Sequence, residues 1–313
     1  MKILSSLLKF FPTDELNRLE NLIRMALLEK SSHAKRIKLN YYRQSTPELL
    51  KIIDSPSKPS DGDIKNYISF LPKLSSESKI MILGSTPSFR DLFSEMGIKN
   101  YIISDFAFPM MIANLEICKK ADPENEIWIK SDWRDLPIST DSLDLIIGDL
   151  VLLQFLPIEQ KEFIGKIFSL LKRGGRFLVR TRTANQDLFQ VDQGKIISDS
   201  LEKLPKGNKG RDIILLLWRL CDSLRNPNTQ LTKPEDMIKI LDNYQTQNSQ
   251  EKNFLNRLRN ILSRRALMDL DFPSQTREET ETLFKQFFPL IDKKIASDYE
   301  DAEYFPVYNL ERP

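Results

Sequence analysis

Short runs of apolar residues alternate with stretches of helical spacing through the middle of the chain. The runs are KIMIL (79–83), NYIIS (100–104), EIWIK (126–130), LDLIIG (143–148) and RFLVRT (176–181). Strands that are buried on both faces of a parallel sheet have continuous apolar runs, and the segments between these runs are long enough for helical crossovers. The pattern predicts a parallel α/β sheet, with ligands bound at the carboxyl ends of its strands.

The segments before and after this region have the spacing of amphipathic helices. Apolar residues recur at helical positions over 14–30, and Thr46-Pro47 begins another helix with a cap followed by proline. A linker over 54–63 separates these helices from a short one at 64–71. Apolar stripes at helical spacing return over 195–270, which predicts a second helical region.

The last part of the chain predicts a helix followed by a hairpin. Thr276 and Glu279 have the spacing of a capping box for a helix that ends near Phe287. Two apolar runs follow, at 290–297 and 304–310, and the acidic turn between them is too short for a parallel crossover. These two strands are therefore predicted to be antiparallel.

Composition narrows the chemistry further. The 313 residues carry 46 Lys and Arg against 44 Asp and Glu, so no overall charge favours nucleic acid or an acidic membrane as the partner. His33, Cys118 and Cys221 are too few for a zinc or iron–sulfur site, and we predict no metal. No apolar run approaches the length of a membrane span. We expect a cytoplasmic protein with reduced thiols.

Polar or glycine residues follow four successive predicted strands. Gly84-Ser85-Thr86-Pro87 ends the first and leads into a helix, so backbone N–H groups at the helix start can face a ligand. Asp105 ends the second, where a carboxylate can accept both ribose hydroxyls. Asp132-Trp133 follows the third, and Asp149 ends the fourth. Taken singly, such an Asp is more often a turn or cap residue, and such a Trp is more often core.

This arrangement resembles the class I S-adenosylmethionine (SAM) dependent methyltransferases. The matching segments are ILGSTP (82–87), ISDFAFPMM (103–111), KSDWRDLP (130–137), LIIGDLVL (145–152) and LLKRGGRFLVR (170–180). More narrowly, the chain is similar to a subgroup whose first motif reads near LGxTPE. The resemblance implies a Rossmann-like, mostly parallel sheet of seven strands with an antiparallel last strand, an N-terminal helical cap, and a helical insertion between the fifth and sixth strands.

The same resemblance implies a division into four segments. Residues 1–75 form the helical cap, and 76–191 form the SAM-binding core. Residues 192–271 are the insertion that covers the substrate, and 272–313 complete the core with a helix and a hairpin. The oligomeric state stays open.

The resemblance also implies site residues, with SAM as the cofactor and S-adenosylhomocysteine (SAH) as the product. The residues that contact SAM would be Gly84, Ser85, Thr86, Pro87, Asp105, Phe106, Met110, Asp132, Trp133 and Asp149. Gly84, Ser85 and Thr86 pass the methionine part, and Asp105 binds the ribose. Phe106 and Met110 flank the adenine, and Asp132 accepts from its exocyclic amine. The chain departs from the common first motif because Ile82 stands where the family has an acidic residue, and Thr86 and Ser88 stand for two glycines. Asp149 or a residue of the N-terminal helices would then anchor the amino group of SAM.

Three residues are candidates for a direct role in methyl transfer. Asp149 is the first candidate to accept a proton or to orient the acceptor, and Tyr41 and Tyr42 are secondary candidates that have a core role as the alternative. Arg180 and Arg182 follow the fifth strand and are predicted to bind a substrate carboxylate. We predict a small-molecule acceptor.

Four alternatives stay open. A nicotinamide-dependent enzyme would need G-x-G-x-x-G, and this chain lacks its second glycine. A nucleic-acid methyltransferase would use the basic residues over 161–182, although Asp149-Leu150-Val151 does not match the D/N-P-P motif of the amino-methylating group. SAM itself could be the reactant, through intramolecular displacement that releases methylthioadenosine. The fourth alternative is a non-catalytic SAM-binding domain.

Overall fold

The computed structural model of the protein describes residues 55–204, 209–267 and 269–313. The predicted helix over 14–30, the helix from Pro47 and most of the predicted cap lie outside these residues. So do Tyr41 and Tyr42, which stay predictions.

Seven strands of the described chain form one mixed sheet. They are β1 (Ile80–Leu83), β2 (Tyr101–Asp105), β3 (Glu126–Lys130), β4 (Leu143–Asp149), β5 (Leu171–Arg180), β8 (Leu290–Lys294) and β9 (Val307–Glu311). Their order is β3-β2-β1-β4-β5-β9-β8, the first five are parallel, and β9 runs antiparallel to both β5 and β8. This confirms the predicted sheet and its terminal hairpin.

Helices cover both faces of this sheet and fill the segment after β5. They are α1 (Asp61–Phe70), α2 (Pro87–Glu95), α3 (Phe108–Ile117), α4 (Pro157–Leu170), α5 (Gln193–Glu202), α6 (Lys209–Ser223), α7 (Pro234–Asn243), α8 (Ser249–Ala266) and α9 (Arg277–Lys285). Among the described helices, none has the length and apolar character that a membrane span requires.

The sheet has a hydrophobic core on each face because strand side chains alternate. Ile80 and Ile82 of β1 point to the face covered by α1, α2 and α3, where Tyr67 and Phe89 are fully buried. Met81 points to the opposite face, which α4 and α9 cover. Burial on both faces explains the continuous apolar runs of the central strands.

Two predicted boundaries need correction. Helix α1 begins at Asp61 and not at residue 64, because the Ser60 hydroxyl accepts a hydrogen bond from Asp63 N–H (3.0 Å) and Asp63 in turn accepts from Ser60 N–H. The fifth strand begins before Gly174-Gly175, earlier than the predicted run that starts at Arg176. Helix α4 ends at Leu170, and both glycines lie within an irregular part of β5, where Gly174 has φ of 75°.

The segment between β5 and α9 has a hydrophobic cluster of its own. Buried residues from α5, α6, α7 and α8 form it, and Leu216 and Leu258 are fully buried there. Two short strands, β6 (Leu231–Thr232) and β7 (Phe272–Pro273), pair antiparallel at its base. The sequence did not predict them, because two residues are too few to show a strand period.

The capping box of α9 is confirmed, and its contribution to stability can be measured. Thr276 Oγ1 accepts from Glu279 N–H (3.1 Å), and Glu279 accepts from Thr276 N–H (2.7 Å). We expect Thr276→Ala to lower the free energy of unfolding by about 1 kcal/mol, because it leaves a helix N–H without its partner. Urea denaturation measures this change. Thr276→Ser keeps the hydroxyl and is the control, so an equal loss in both variants would contradict the assignment.

Candidate functional site

The carboxyl ends of β1, β2 and β4 meet where the strand order of the sheet reverses. Leu83 of β1 is in register with Ser104 on one side and with Gly148 on the other. Gly84 therefore lies between the ends of β2 and β4. Open α/β sheets bind ligands at such a switch point, which makes this edge the candidate site.

Gly84 allows the chain to turn away from the sheet and leaves space above the turn. Its φ of 78° is a conformation that side chains rarely adopt, and its N–H donates to Ser104 O (2.8 Å). Among the described residues, a Cβ atom at this position would meet only Trp133 Cζ2, at 4.0 Å. Thr86, the N-cap of α2, makes no side-chain bond to its helix, and Pro87 begins that helix. The turn from Gly84 to Pro87 thus has a local geometry that suits ligand binding.

Asp105 and Ser85 link the ends of β2 and β1. The Ser85 hydroxyl donates to Asp105 Oδ2 (3.2 Å), and Ala107 N–H donates to Asp105 Oδ1 (2.8 Å). Burial raises the pKa of Asp105 to about 6, although these two bonds oppose the rise. A buried carboxylate that keeps acceptor capacity is suited to bind a pair of hydroxyl groups.

The structure adds Asn114 to this group. Its side-chain amide donates to Ser85 Oγ (2.8 Å) from the middle of α3, and the residue is buried. Asn is a poor helix former, so its position inside the apolar helix FPMMIANLEI was the available signal. Phe106 and Met110, which were predicted to flank the adenine, lie half-buried after β2 and in the first turn of α3.

The residues after β3 make other contacts than those the sequence suggested. Both oxygens of Asp132 accept from Arg134, at 3.1 Å and 2.9 Å, and Arg134 also binds Glu159. The Trp133 ring belongs to the hydrophobic core, and its indole N–H donates to Ser104 O (3.0 Å). Asp132 is thus already ion-paired, and Trp133 reaches the site only with its edge near Gly84.

Asp149 and Arg180 form a buried cluster with two neighbouring elements. Arg180 Nε and Nη2 bind the two oxygens of Asp149 at 2.6 and 3.0 Å, and Nη1 binds Asp63 of α1 at 2.9 Å. Its remaining bonds go to Tyr299 Oη (3.2 Å) and Pro56 O (2.9 Å). All five guanidinium N–H groups are thereby used, so Arg180 cannot bind a substrate carboxylate without breaking one of these bonds.

The pKa of Asp149 depends on the charge balance of this cluster. Two buried carboxylates, Asp63 and Asp149, face one guanidinium. Burial raises the pKa of Asp149; Arg180 opposes this rise and Asp63 adds to it. Asp149 is thus a positioned carboxylate with a raised pKa, as a candidate proton acceptor requires.

Arg182 lies beyond the end of β5 and is bound to the helical insertion. Its Nη2 donates to Asp222 and to Trp218 O (3.2 Å), both on α6, and its Nη1 donates to Ser274 Oγ (3.4 Å). Arg182 was predicted to bind a substrate carboxylate, and part of its guanidinium already binds the carboxylate of Asp222.

Most of the basic residues over 161–182 serve internal contacts. Lys172 binds Asp144 at 2.7 Å, and Arg176 binds Glu311 at 3.1 Å. Arg180 and Arg182 are buried. Four of the seven basic side chains are thus occupied, which argues against a track for nucleic-acid phosphates.

Both cysteines are free thiols. Cys221 is buried, Cys118 is partly buried, and burial raises the pKa of the Cys118 thiol to about 12. Within the described residues, no group of His, Cys, Asp and Glu side chains could hold a metal ion. A groove of about 460 Å³, lined by Lys79, Asn100 and Leu143 among others, lies at the amino ends of the strands and so does not belong to this site.

Comparison with known proteins adds information about the fold. No family model matches the sequence, and no curated protein matches it. Among solved structures, a protein from Rhodobacter sphaeroides described as a Zn-dependent alcohol dehydrogenase is similar with a TM-score of 0.54 at 13% identity, over 88% of this chain and 98% of that one. At such identity the likeness shows the fold alone.

Methyltransferases are also among the solved structures found. A SAM-dependent methyltransferase from Mesorhizobium loti has a TM-score of 0.44 at 11% identity, over 86% of this chain and 99% of that one. Magnesium protoporphyrin IX methyltransferase from Synechocystis PCC 6803, solved with bound SAH, has a TM-score of 0.40 at 11% identity, over 75% and 74% of the two chains.

The raised pKa of Asp105 predicts a pH-dependent stability cost. Below about pH 4 the carboxyl is protonated whether the chain is folded or unfolded. Between about pH 4 and 6 only the folded chain retains this proton. The free energy of unfolding therefore falls as the pH rises through this range. We expect Asp105→Asn, which stays neutral, to match the wild type near pH 4 and to exceed it by about 1 to 3 kcal/mol at pH 7.5.

Urea denaturation at the two pH values measures this difference. Asp141→Asn is the matched control, because Asp141 is exposed at the opposite edge of the sheet and its left-handed backbone (φ 53°) suits Asn. A stability difference for Asp105→Asn that does not change with pH would contradict the prediction.

Proposed function

We propose that this protein is a SAM-dependent methyltransferase that acts on a small molecule. The observation that carries the proposal is the group formed by Gly84, Ser85 and Asp105 at the switch point of the sheet. It combines an open glycine turn, a helix N-terminus and a buried carboxylate with acceptor capacity. A nucleoside with an amino-acid end offers matching hydroxyl and polar groups.

The residues at this edge suit SAM in several respects. The space above Gly84 would admit the methionine part beside Ser85, Thr86 and Pro87, and Asp105 would accept the ribose hydroxyls. Phe106, Met110 and the edge of Trp133 would contact the adenine. Asp132, which is paired with Arg134, would accept from the adenine amine. When bound, SAM supplies a methyl group on a sulfonium centre, and SAH is the product.

The amino group of the cofactor needs a partner other than the usual acidic residue. Ile82 stands at that position and is buried in the hydrophobic core. We propose Asp149 as the replacement. Gly148 is in register with Leu83, so the residues that follow them, Asp149 and Gly84, are neighbours at the ends of β4 and β1. Its carboxylate is fixed in place by Arg180.

Asp149 also supports the transfer step. Each of its oxygens accepts one bond from Arg180, and each retains a second lone pair. The carboxylate can therefore orient a nucleophile or accept its proton while its own position stays fixed. Holding the acceptor in line in a water-poor pocket supplies most of the acceleration in such a reaction.

The helical insertion would form part of the acceptor pocket. Trp218 of α6 and Leu150, which follows β4, pack against the same buried cluster of Ala296, Tyr299, Ala302 and Phe305, which brings the insertion to the carboxyl edge of the sheet. This enclosed arrangement and the paired basic side chains favour a small molecule over nucleic acid. Tyr41 and Tyr42 are further proposed acceptor contacts outside the described residues.

Isothermal titration with SAH tests cofactor binding directly. We expect the wild type to bind SAH and Asp105→Asn to bind it about 10- to 100-fold more weakly, because hydrogen bonds to a charged acceptor are lost. Asp141→Asn should bind like the wild type. Absence of binding to the wild type at millimolar SAH, or unchanged affinity in Asp105→Asn, would contradict the proposal.

Incubation with SAM alone distinguishes methyl transfer from intramolecular displacement. We expect SAM to stay intact when no acceptor is present, because the methyl group then has no nucleophile. Chromatography of the nucleoside products measures the outcome. Enzyme-dependent methylthioadenosine would instead identify SAM as the sole reactant.

A further inference from the structure

Strand β3 forms one edge of the seven-stranded sheet, and β8 forms the other. Among the described strands, only β2 pairs with β3. The outer side of β3 therefore has no strand beside it in the part of the chain that the structure describes. An edge of this kind can pair with another strand, and proteins usually protect it with charged side chains, proline or a bulge.

The backbone of β3 has the orientation that a two-fold axis through Trp128 requires. Ser131 N–H, directly after β3, donates to Asp105 O of β2 (3.2 Å), and peptide groups alternate in direction along a strand. Ile127 and Ile129 therefore direct their backbone groups toward β2, and Trp128 directs its N–H and C=O outward. An antiparallel strand centred opposite Trp128 can bond to both groups.

Apolar side chains flank this edge on both faces of the sheet. On one face, Ile127 is 46% exposed and lines the groove of about 460 Å³ at the amino ends of the strands. On the other face, the Trp128 ring contacts the Phe108 ring of α3, with 5.6 Å between the ring centres. Phe108 is 41% exposed, and Ile112, one turn further along α3, is 37% exposed. Exposed apolar side chains beside an unpaired strand indicate an interaction surface.

The two edges of the sheet differ in their charges. Strand β8 carries the exposed charged run DKK at 292–294, which is the protection that natural sheets use. Strand β3 has an exposed charge at Lys130, its last residue, whereas the Glu126 carboxylate is buried against Arg90 (2.7 Å). Of the two edges, β3 is therefore the one suited to pair.

The sequence of β3, EIWIK, is self-complementary when it pairs antiparallel about Trp128. Ile127 then lies opposite the partner's Ile129, and Glu126 lies opposite the partner's Lys130. No like charges meet in this register. Because the Glu126 carboxylate is already bound, the register avoids repulsion without adding an ion pair.

Helix α3 favours a second copy of this chain over an unrelated segment. Phe108 and Ile112 lie on α3 beside β3, and a two-fold axis at the edge brings α3 of one copy next to α3 of the other. The exposed side chains of the two helices would then cover one another. An unrelated extended peptide could bond to the edge strand, but it would leave Phe108 and Ile112 exposed.

We propose that this chain forms a two-fold dimer through antiparallel pairing of β3 with β3 of a second copy. The dimer does not depend on the proposed function. The two β3 strands run in opposite directions, so the candidate ligand sites lie toward opposite ends of the interface and each copy keeps its own. A short strand pair with a few flanking side chains makes a small interface, for which we expect a Kd of about 1 to 100 µM.

Sedimentation equilibrium of the full-length protein, from about 5 to 500 µM, measures this association. We expect the apparent mass to rise with concentration from that of one chain toward that of two chains. A mass of one chain over the whole range would overturn the proposal and would leave the edge to a different partner. A mass that continues to rise beyond two chains would also overturn it, because a two-fold pair is closed.

Ile127→Lys gives β3 the kind of charge that protects β8. We expect the Kd of the dimer to rise at least about tenfold in this variant. Leu290→Lys is the matched control, because Leu290 is 65% exposed on β8, and it should dimerise like the wild type. An unchanged Kd in Ile127→Lys, or equal weakening in both variants, would overturn the proposal. Ile127→Lys should bind SAH like the wild type, so failure of the dimer and failure of cofactor binding are distinguishable.

Cysteine cross-linking tests the register and remains decisive if Ile127→Lys does not fold. Cys118→Ser first removes the partly buried native thiol. A mixture of Ile127→Cys and Ile129→Cys proteins should then form disulfide-linked pairs under a mild oxidant, because opposite Cβ atoms lie about 4.5 to 5.5 Å apart. Either variant alone has its two thiols on a diagonal, with about 7 to 8 Å between Cα atoms, which is too far for a disulfide. Cross-linking that is absent from the mixture, or equal in the mixture and the single variants, would overturn the proposal.

Discussion

The carboxyl edge of the sheet depends on the buried guanidinium of Arg180. Its five N–H groups connect β5 to Asp149 of β4, to Asp63 of α1, to Tyr299 in the segment before β9 and to the backbone at Pro56. Removing this charge would leave two carboxylates buried without a counter-ion, which typically costs 3 to 5 kcal/mol. The cluster therefore fixes the elements that surround the candidate site.

Tyr67 extends the same constraint to the sheet itself. Its hydroxyl donates to Gly148 O (2.7 Å) and accepts from Arg180 N–H (2.6 Å). It thus links a carbonyl of β4 to an N–H of β5 near the carboxyl ends of these paired strands. Asp149 lies in register with Arg180 at this point, where the proposed acceptor would approach.

The polar groups at this edge differ in how much binding capacity they retain. Arg180 uses every donor inside the protein, and Asp132 is paired with Arg134. Asp105 retains acceptor capacity at the cost of a raised pKa, and Arg182 has one buried donor without a partner in the part of the chain that the structure describes. A protein that keeps costly, incompletely satisfied groups at one edge of its sheet has the usual character of a binding site.

The sequence by itself determined the sheet, because continuous apolar runs and short polar turns are local features that burial on both faces imposes. It also placed Gly84, Asp105 and Asp149 at strand ends. Only the tertiary structure decided which of these groups stay free, since Arg180 meets Asp63 across 117 positions and Arg182 meets Asp222 across 40. Asn114 joined the site for the same reason. Periodicity indicates which face a side chain occupies, whereas its partner depends on chain segments that meet only after folding.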